Sequence, residues 1–230
     1  MPSENNKRSK SLALSRVSVF AVLNALTDLV PVSPILGIPG SFLTFGWIIS
    51  PLTGILLGAK IGGISCLIGN LLTVFFGKQL LFGPLTPLRP AVSAFIAGML
   101  ASSNWQIPAA TLFSLIMIWF LLPSGMQASL VVVYHFFGLG IILFLRSKIA
   151  KFVSSENLRK ASIGFATATY CGNISRHIFG NILSAMILNI PPIAFVWAMP
   201  YTFVEQSVFV VAATIIGISL KRLGIRQILQ

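Results

Sequence analysis

Apolar residues run along this chain in stretches too long for the core of a small soluble domain, each closed by glycine, proline or charge. The pattern predicts helices near 12–30, 38–58, 61–77, 89–103, 107–122, 126–147, 161–189 and 193–220. The runs at 89–103 and 107–122 are short. They form either two thin spans or a re-entrant hairpin shielded by protein. The expected fold is therefore an all-α polytopic membrane bundle of six to eight transmembrane helices. Residues 1–11 read as a disordered basic tail, 12–221 as a single transmembrane helical domain, and 222–230 as a short cytoplasmic tail. Lys7, Arg8, Lys10 and Arg16 resemble the start of a signal peptide, but the small-residue cleavage pattern is unconvincing. The first segment is expected to stay as an uncleaved helix.

Composition agrees with a lipid environment, with 56% hydrophobic residues, 9% charged residues and a mean hydropathy of +0.92. The net charge of +12 changes the picture only through its distribution. Alternating through eight spans from a cytoplasmic N-terminus places Lys7, Arg8, Lys10, Arg16, Lys60, Arg146, Lys148, Lys151, Arg159, Lys160, Lys221, Arg222 and Arg226 inside. Lys78 and Arg89 fall outside, and Arg176 within the membrane. This bias predicts both termini in the cytoplasm, and removing the 89–122 pair leaves it unchanged. Clusters between apolar runs leave no soluble basic face for phosphate contacts, which argues against nucleic-acid binding. Cys66 and Cys171 lack metal-ligand spacing and read as buried small hydrophobes.

Charge within lipid is costly and points to function. The ionisable side chains inside apolar stretches are Asp28, His135, Arg176, His177, Glu205 and, at a turn, Lys60. On a helix, Tyr170, Asn173, His177, Asn181 and Ser184 share an arc of about 80°, with Arg176 beyond one edge. Ile174, Ile178, Phe179 and Ile182 form the other side. Two readings of the stripe stand: a pocket for a polar ligand or ion, and a hydrogen-bond network that holds helices together. Arg176 has Asp28 or Glu205 as possible counter-charges. The inferred topology puts Asn70, His135, Arg176, His177 and Glu205 near mid-membrane, with Asp28, Asn181, Trp197 and Tyr201 nearer the outer side. Trp197 and Tyr201 either stack on a flat ring or anchor the interface. Pro200 is positioned to interrupt the last segment ahead of Glu205 and Gln206. His135 reads as a packing residue or a ligand contact.

Gly54, Gly58 and Gly62 repeat at spacing four with Gly63 beside them, which predicts close helix approach and a tight turn around 58–63. Ala21 and Ala25 repeat the spacing on the first helix, for packing or for docking. The stretch Gly54-Ile55-Leu56-Leu57-Gly58-Ala59-Lys60-Ile61-Gly62-Gly63, together with Ala21-x-x-x-Ala25, resembles the substrate-binding S components of energy-coupling factor (ECF) transporters. The resemblance implies capture of a vitamin or related micronutrient from outside. It also implies a transmembrane coupling subunit that contacts Ala21 and Ala25, and separate ATPase subunits. S components usually have six helices, so the one or two extra segments at 89–122 depart from the family pattern.

The chain has no Gly-rich phosphate loop ending in Lys-Ser/Thr and no HExxH, and Ser124-Gly125 near His135 makes no nucleophile–base pair. No catalytic residues, metal site or cofactor are expected. The expected function is solute binding for uptake, with substrate contacts from Asn173, Arg176, His177, Asn181, Tyr170, Glu205, His135 and Asn70. A small ion- or proton-coupled secondary transporter and a non-transporting membrane scaffold are the alternatives.

Overall fold

The computed structural model describes residues 4–36 and 38–224, with side chains from residue 11 onward. The side chains of Lys7, Arg8 and Lys10, and all of Arg226, lie outside the described part. So do residues 1–3 of the expected tail and 225–230 of the C-terminal one.

The chain is all-α and 80% helical. The order is α1 (Glu4–Asp28), a hairpin of β1 (Pro31–Pro34) and β2 (Phe42–Thr44), α2 (Gly46–Leu57), α3 (Ala59–Leu72) and α4 (Leu88–Ala101). Then come α5 (Gln106–Leu121), α6 (Pro123–Gln127), α7 (Val133–Leu145), α8 (Lys148–Ser154), α9 (Leu158–Ile187) and α10 (Pro192–Arg222). The first helix starts at Glu4, so the described part of the basic segment continues α1.

The hairpin replaces the first turns of the helix expected from residue 38. Pro31 and Pro34 lack backbone N–H groups and suit the edge of a short antiparallel pair, whose register runs Pro31↔Thr44, Ser33↔Leu43, Pro34↔Phe42. Apolarity alone cannot distinguish such a ribbon from the start of a span. The linker between the expected sixth and seventh segments also contains structure, in α8. Asn157 then caps α9, its side chain accepting from the N–H groups of Arg159 (3.0 Å) and Lys160 (3.3 Å). Pro200 lies inside α10 without ending it.

Glycine sets the closest contacts. Gly58 alone joins α2 to α3 with φ +81°, a conformation that disfavours any side chain. A Cβ on Gly54 would fall 1.8 Å from the Ala94 carbonyl oxygen on α4, and one on Gly98 would fall 2.5 Å from the Ala59 nitrogen. The missing side chains thus let α2, α3 and α4 touch backbone to backbone.

Two ends of the bundle can be told apart by contacts. At one, Asp28 closing α1 meets Thr44, Asn70 near the end of α3, and Lys78. Trp47 near the start of α2 meets Arg89 near the start of α4. At the other, Arg146 after α7 lies over Trp105 before α5 at 5.2 Å. Lys221 late in α10 donates to the carbonyls of Val153 (3.2 Å) and Ser155. The long helices therefore run back and forth between a hairpin end and a basic end.

The interior holds Trp47, Trp119, Phe165 and Phe209 among its largest enclosed side chains. Ile174, Ile178 and Ile182 are buried as well, so α9 is surrounded by other helices. The outside is strongly apolar: Phe75 is 86% exposed, Phe144 82% and Leu121 80%. Two helices, Ala59–Phe76 and Pro192–Arg222, are long and apolar enough to cross a membrane. Ser129–Leu145 and Lys148–Ser154, bent by 81°, make a third if taken as one span.

Candidate functional site

Two adjoining cavities open at the hairpin end. The larger, about 590 Å³, lies among the ends of α1 and α3, the hairpin, and the loop at 76–81. Its polar wall is Asp28, Asn70, Lys78, Arg89 and Arg176, with Trp47 between it and the smaller cavity. The smaller, about 90 Å³, is bounded by Arg89, His177, Asn181, Ser184, Tyr201 and Glu205 below Pro34, Ile35, Leu36 and Ile38. A volume of 590 Å³ falls within the range of small-molecule sites.

Asp28 is the anchor of the larger cavity. Its carboxylate accepts from Thr44 Oγ1 (2.5 Å), from Asn70 Nδ2 and from Lys78 Nζ (2.5 Å), and its carbonyl accepts from Lys78 at 2.7 Å. A Cβ on Gly46 would lie 2.8 Å from Asp28 Oδ1, so that glycine leaves room for the acid. Burial lowers the Lys78 ammonium from its ordinary value, and the neighbouring Asp28 carboxylate acts against this shift.

Arg89 and Arg176 both lie over one indole. The Arg176 Cζ stands 4.2 Å from the Trp47 ring centroid and the Arg89 Cζ 5.7 Å. Arg89 also lies over Phe82 at 5.1 Å. Arg176 is 4% exposed, and its Nη1 donates to the Gly46 carbonyl at 3.3 Å. The Nε atoms of both arginines are buried without a hydrogen-bond partner. Among the described residues the ion pair is Lys78–Asp28, so neither arginine has a carboxylate at salt-bridge distance. A desolvated cation–π contact is worth about 2 kcal/mol, whereas removing an ion from water costs several kcal/mol. The aromatic faces offset only part of that cost. A Cβ on Gly180 would meet Arg89 Nη2 at 2.8 Å, so α9 keeps a gap for this side chain.

The expected site residues divide between cavity and scaffold. Arg176 and Asn70 face the larger cavity; His177, Asn181, Ser184 and Glu205 line the smaller. Glu205 accepts from Ser33 Oγ on β1, which ties the hairpin to α10. Neither Glu205 nor Asp28 pairs with Arg176 in the described structure. His135 is fully buried, and its Nε2 lies 3.2 Å from His177 Nδ1 with the rings stacked. Asn173 lies outside both cavities: its Oδ1 accepts from Ser93 (3.0 Å) and its Nδ2 donates to the Trp47 carbonyl (3.0 Å). Tyr170 donates to the Tyr134 carbonyl at 2.9 Å and borders a lateral apolar cleft between α7, α9 and α10. The hydrogen bonds of these two residues run to neighbouring helices, as in the network reading of the stripe.

Ala21 and Ala25 are 1% and 3% exposed, against α3. A Cβ on Gly69 would meet the Ala21 carbonyl oxygen at 2.5 Å and the Ala25 nitrogen at 3.2 Å. Helix α3 thus covers the docking face expected on these alanines. Trp197 is 70% exposed on the outside of α10, away from the cavities, as an interface anchor would be. Tyr201 borders the smaller cavity.

Sequence reasoning passed over Trp47, Lys78, Arg89 and Ser33. Lys78 and Arg89 entered only as charges on the outer side. Their signal was their rarity there, since a cation on the charge-poor side of such a chain needs a local reason.

No family model matches the chain, and no solved structure matches it. A protein of Methanocaldococcus jannaschii described as uncharacterized is 24% identical over 164 residues, covering 71% of this chain. The chain spans 55% of that relative's length.

Proposed function

We propose that this chain is a multi-pass membrane protein that captures a small water-soluble solute from outside the cell. The observation that carries the reading is the polar cavity at the hairpin end, opposite the basic end. Lys60, Arg146, Lys148, Lys151, Arg159, Lys160, Lys221 and Arg222 lie at or near helix termini of the basic end, which suits the cytoplasmic side. The cavity then opens outward. Alternation of the helices between the two ends suits the expected six to eight passes, with both termini cytoplasmic. Helix α9 has 30 residues, or roughly 45 Å at 1.5 Å per residue, enough to cross. Its polar positions face other helices, so mean hydropathy underrates it.

The resemblance to ECF S components supports a division of labour, with this chain binding solute while a coupling subunit and ATPases drive import. The coupling face would lie on surfaces other than Ala21 and Ala25. The hairpin roof and its tie to Glu205 favour a binding component over a scaffold, which has no use for a roofed polar cavity.

Impermeant thiol labelling of intact cells tests this arrangement, because Cys66 and Cys171 are buried and give little background. A cysteine replacing Gln79 at the cavity wall should react from outside, and one replacing Glu156 should react only after permeabilisation. The reverse pattern, or a purified protein that releases no small molecule on denaturation, overturns the proposal.

A further inference from the structure

We infer that the solute bears an oxyanion, a carboxylate or phosphate group, which binds in the larger cavity between Arg89 and Arg176. The inference rests on the capture reading and adds the chemical class of what is captured.

Charge balance leads to it. The wall of the larger cavity carries three cations, Lys78, Arg89 and Arg176, and one carboxylate, Asp28. Asp28 is spent on Lys78, Thr44 and Asn70. Glu205 belongs to the smaller cavity and is held by Ser33. Two guanidiniums therefore lie over one indole with no carboxylate at salt-bridge distance among the described residues, each with a buried Nε lacking an acceptor. Such groups are retained where a counter-charge arrives from elsewhere. An oxyanion is the complement of two guanidinium forks, because it offers several acceptor oxygens in a geometry that each fork can grip by two parallel bonds.

The surroundings are built for this pair. Gly180 leaves room for the Arg89 guanidinium, and Trp47 is fixed by stacking on Phe209 at 5.9 Å. The indole thus holds both arginines without neutralising them. On the same wall Asn70 Oδ1 is buried without a donor. A neutral solute would leave both guanidiniums without a direct ionic contact.

The test uses the full-length protein in detergent, with inorganic phosphate and succinate as probes at constant ionic strength. Wild type should gain melting temperature with a saturating dose response to at least one probe. The midpoint should rise ten-fold or more in Arg89→Gln and Arg176→Gln, and stay unchanged in Arg159→Gln at the basic end. Arg89→Lys and Arg176→Lys keep the charge but lose the fork, so they carry the measurement if a glutamine variant does not fold; their midpoints should also rise. Equal responses in every variant, or no response in wild type, overturn the inference.

A parallel arm compares phosphatidylglycerol with phosphatidylcholine. Arginine-dependent protection by the anionic lipid, without protection by either soluble probe, would make this a lipid site and overturn the inference. The two proposals can fail separately. Release of an uncharged solute by a protein indifferent to the probes sinks the oxyanion and keeps capture. Arginine-dependent probe binding by a protein that releases no solute keeps the oxyanion and sinks capture.

Discussion

Ser33 in the hairpin donates a hydrogen bond to the Glu205 carboxylate on α10, joining positions 172 residues apart. That contact fastens the roof of the smaller cavity to the last long helix. A hydrogen bond to a charged group is worth about 1.5–3 kcal/mol, and this one is only partly buried, so the lower figure applies. Ser33→Ala should therefore raise solute release by roughly ten-fold and increase amide exchange at residues 31–44. Thermal stability should change little, because Leu43 and Thr44 still anchor the hairpin to the core. Unchanged exchange in the hairpin would show that other contacts hold it.

Asp28→Asn removes the carboxylate that holds Lys78 while keeping the shape of the side chain. Breaking a buried ion pair costs about 3–5 kcal/mol. The Lys78 side chain is 26% exposed, so solvent screening brings the expected loss below that range. Adding Lys78→Met should recover most of it, since no stranded cation remains. Melting temperatures of the two single variants and the double variant check this. Additive losses would mean that the pair is not coupled.

Gly54→Ala places a methyl group where the Ala94 carbonyl oxygen stands, 1.8 Å away. Overpacking costs typically 1–3 kcal/mol, and here the obstacle is backbone, so the upper end is expected. Gly140 on α7 has nothing within 4 Å of its would-be Cβ. Gly140→Ala should be neutral or stabilising by about 0.5–1 kcal/mol. Equal effects at the two sites, read from thermal unfolding in detergent, would contradict the packing described for α2 and α4.

Ala21→Leu and Ala25→Leu should destabilise the protein itself, because both alanines face α3 closely enough that Gly69 cannot carry a side chain. If instead both variants melt like wild type and fail only to bind a partner, α1 must be able to leave α3.

The helical class and most helix limits were legible because apolar run length reports them directly; α9 and α10 fall within three residues of their expected bounds. The hairpin was not, since Phe42, Leu43 and Thr44 are as apolar as the helix that follows, and pairing with Pro31–Pro34 is a tertiary fact. The stripe on α9 was legible as a stripe, but helical angle cannot tell a cavity from a neighbouring helix. Arg176, His177, Asn181 and Ser184 border cavities, whereas Asn173 and Tyr170 are consumed by Ser93, Trp47 and Tyr134. Arg89 was missed because its meaning depends on Gly180 and Trp47, residues remote in sequence that only the packing of α2, α4 and α9 brings together.

The most direct measurement is the amount of small molecule released when the protein, purified from its native membranes, is denatured and its filtrate analysed by mass spectrometry. Wild type should release one solute at close to one per chain, carrying a carboxylate or phosphate, and Arg176→Gln of equal folded content at least ten-fold less. The same solute in equal amount from both proteins, or none from wild type, would contradict it.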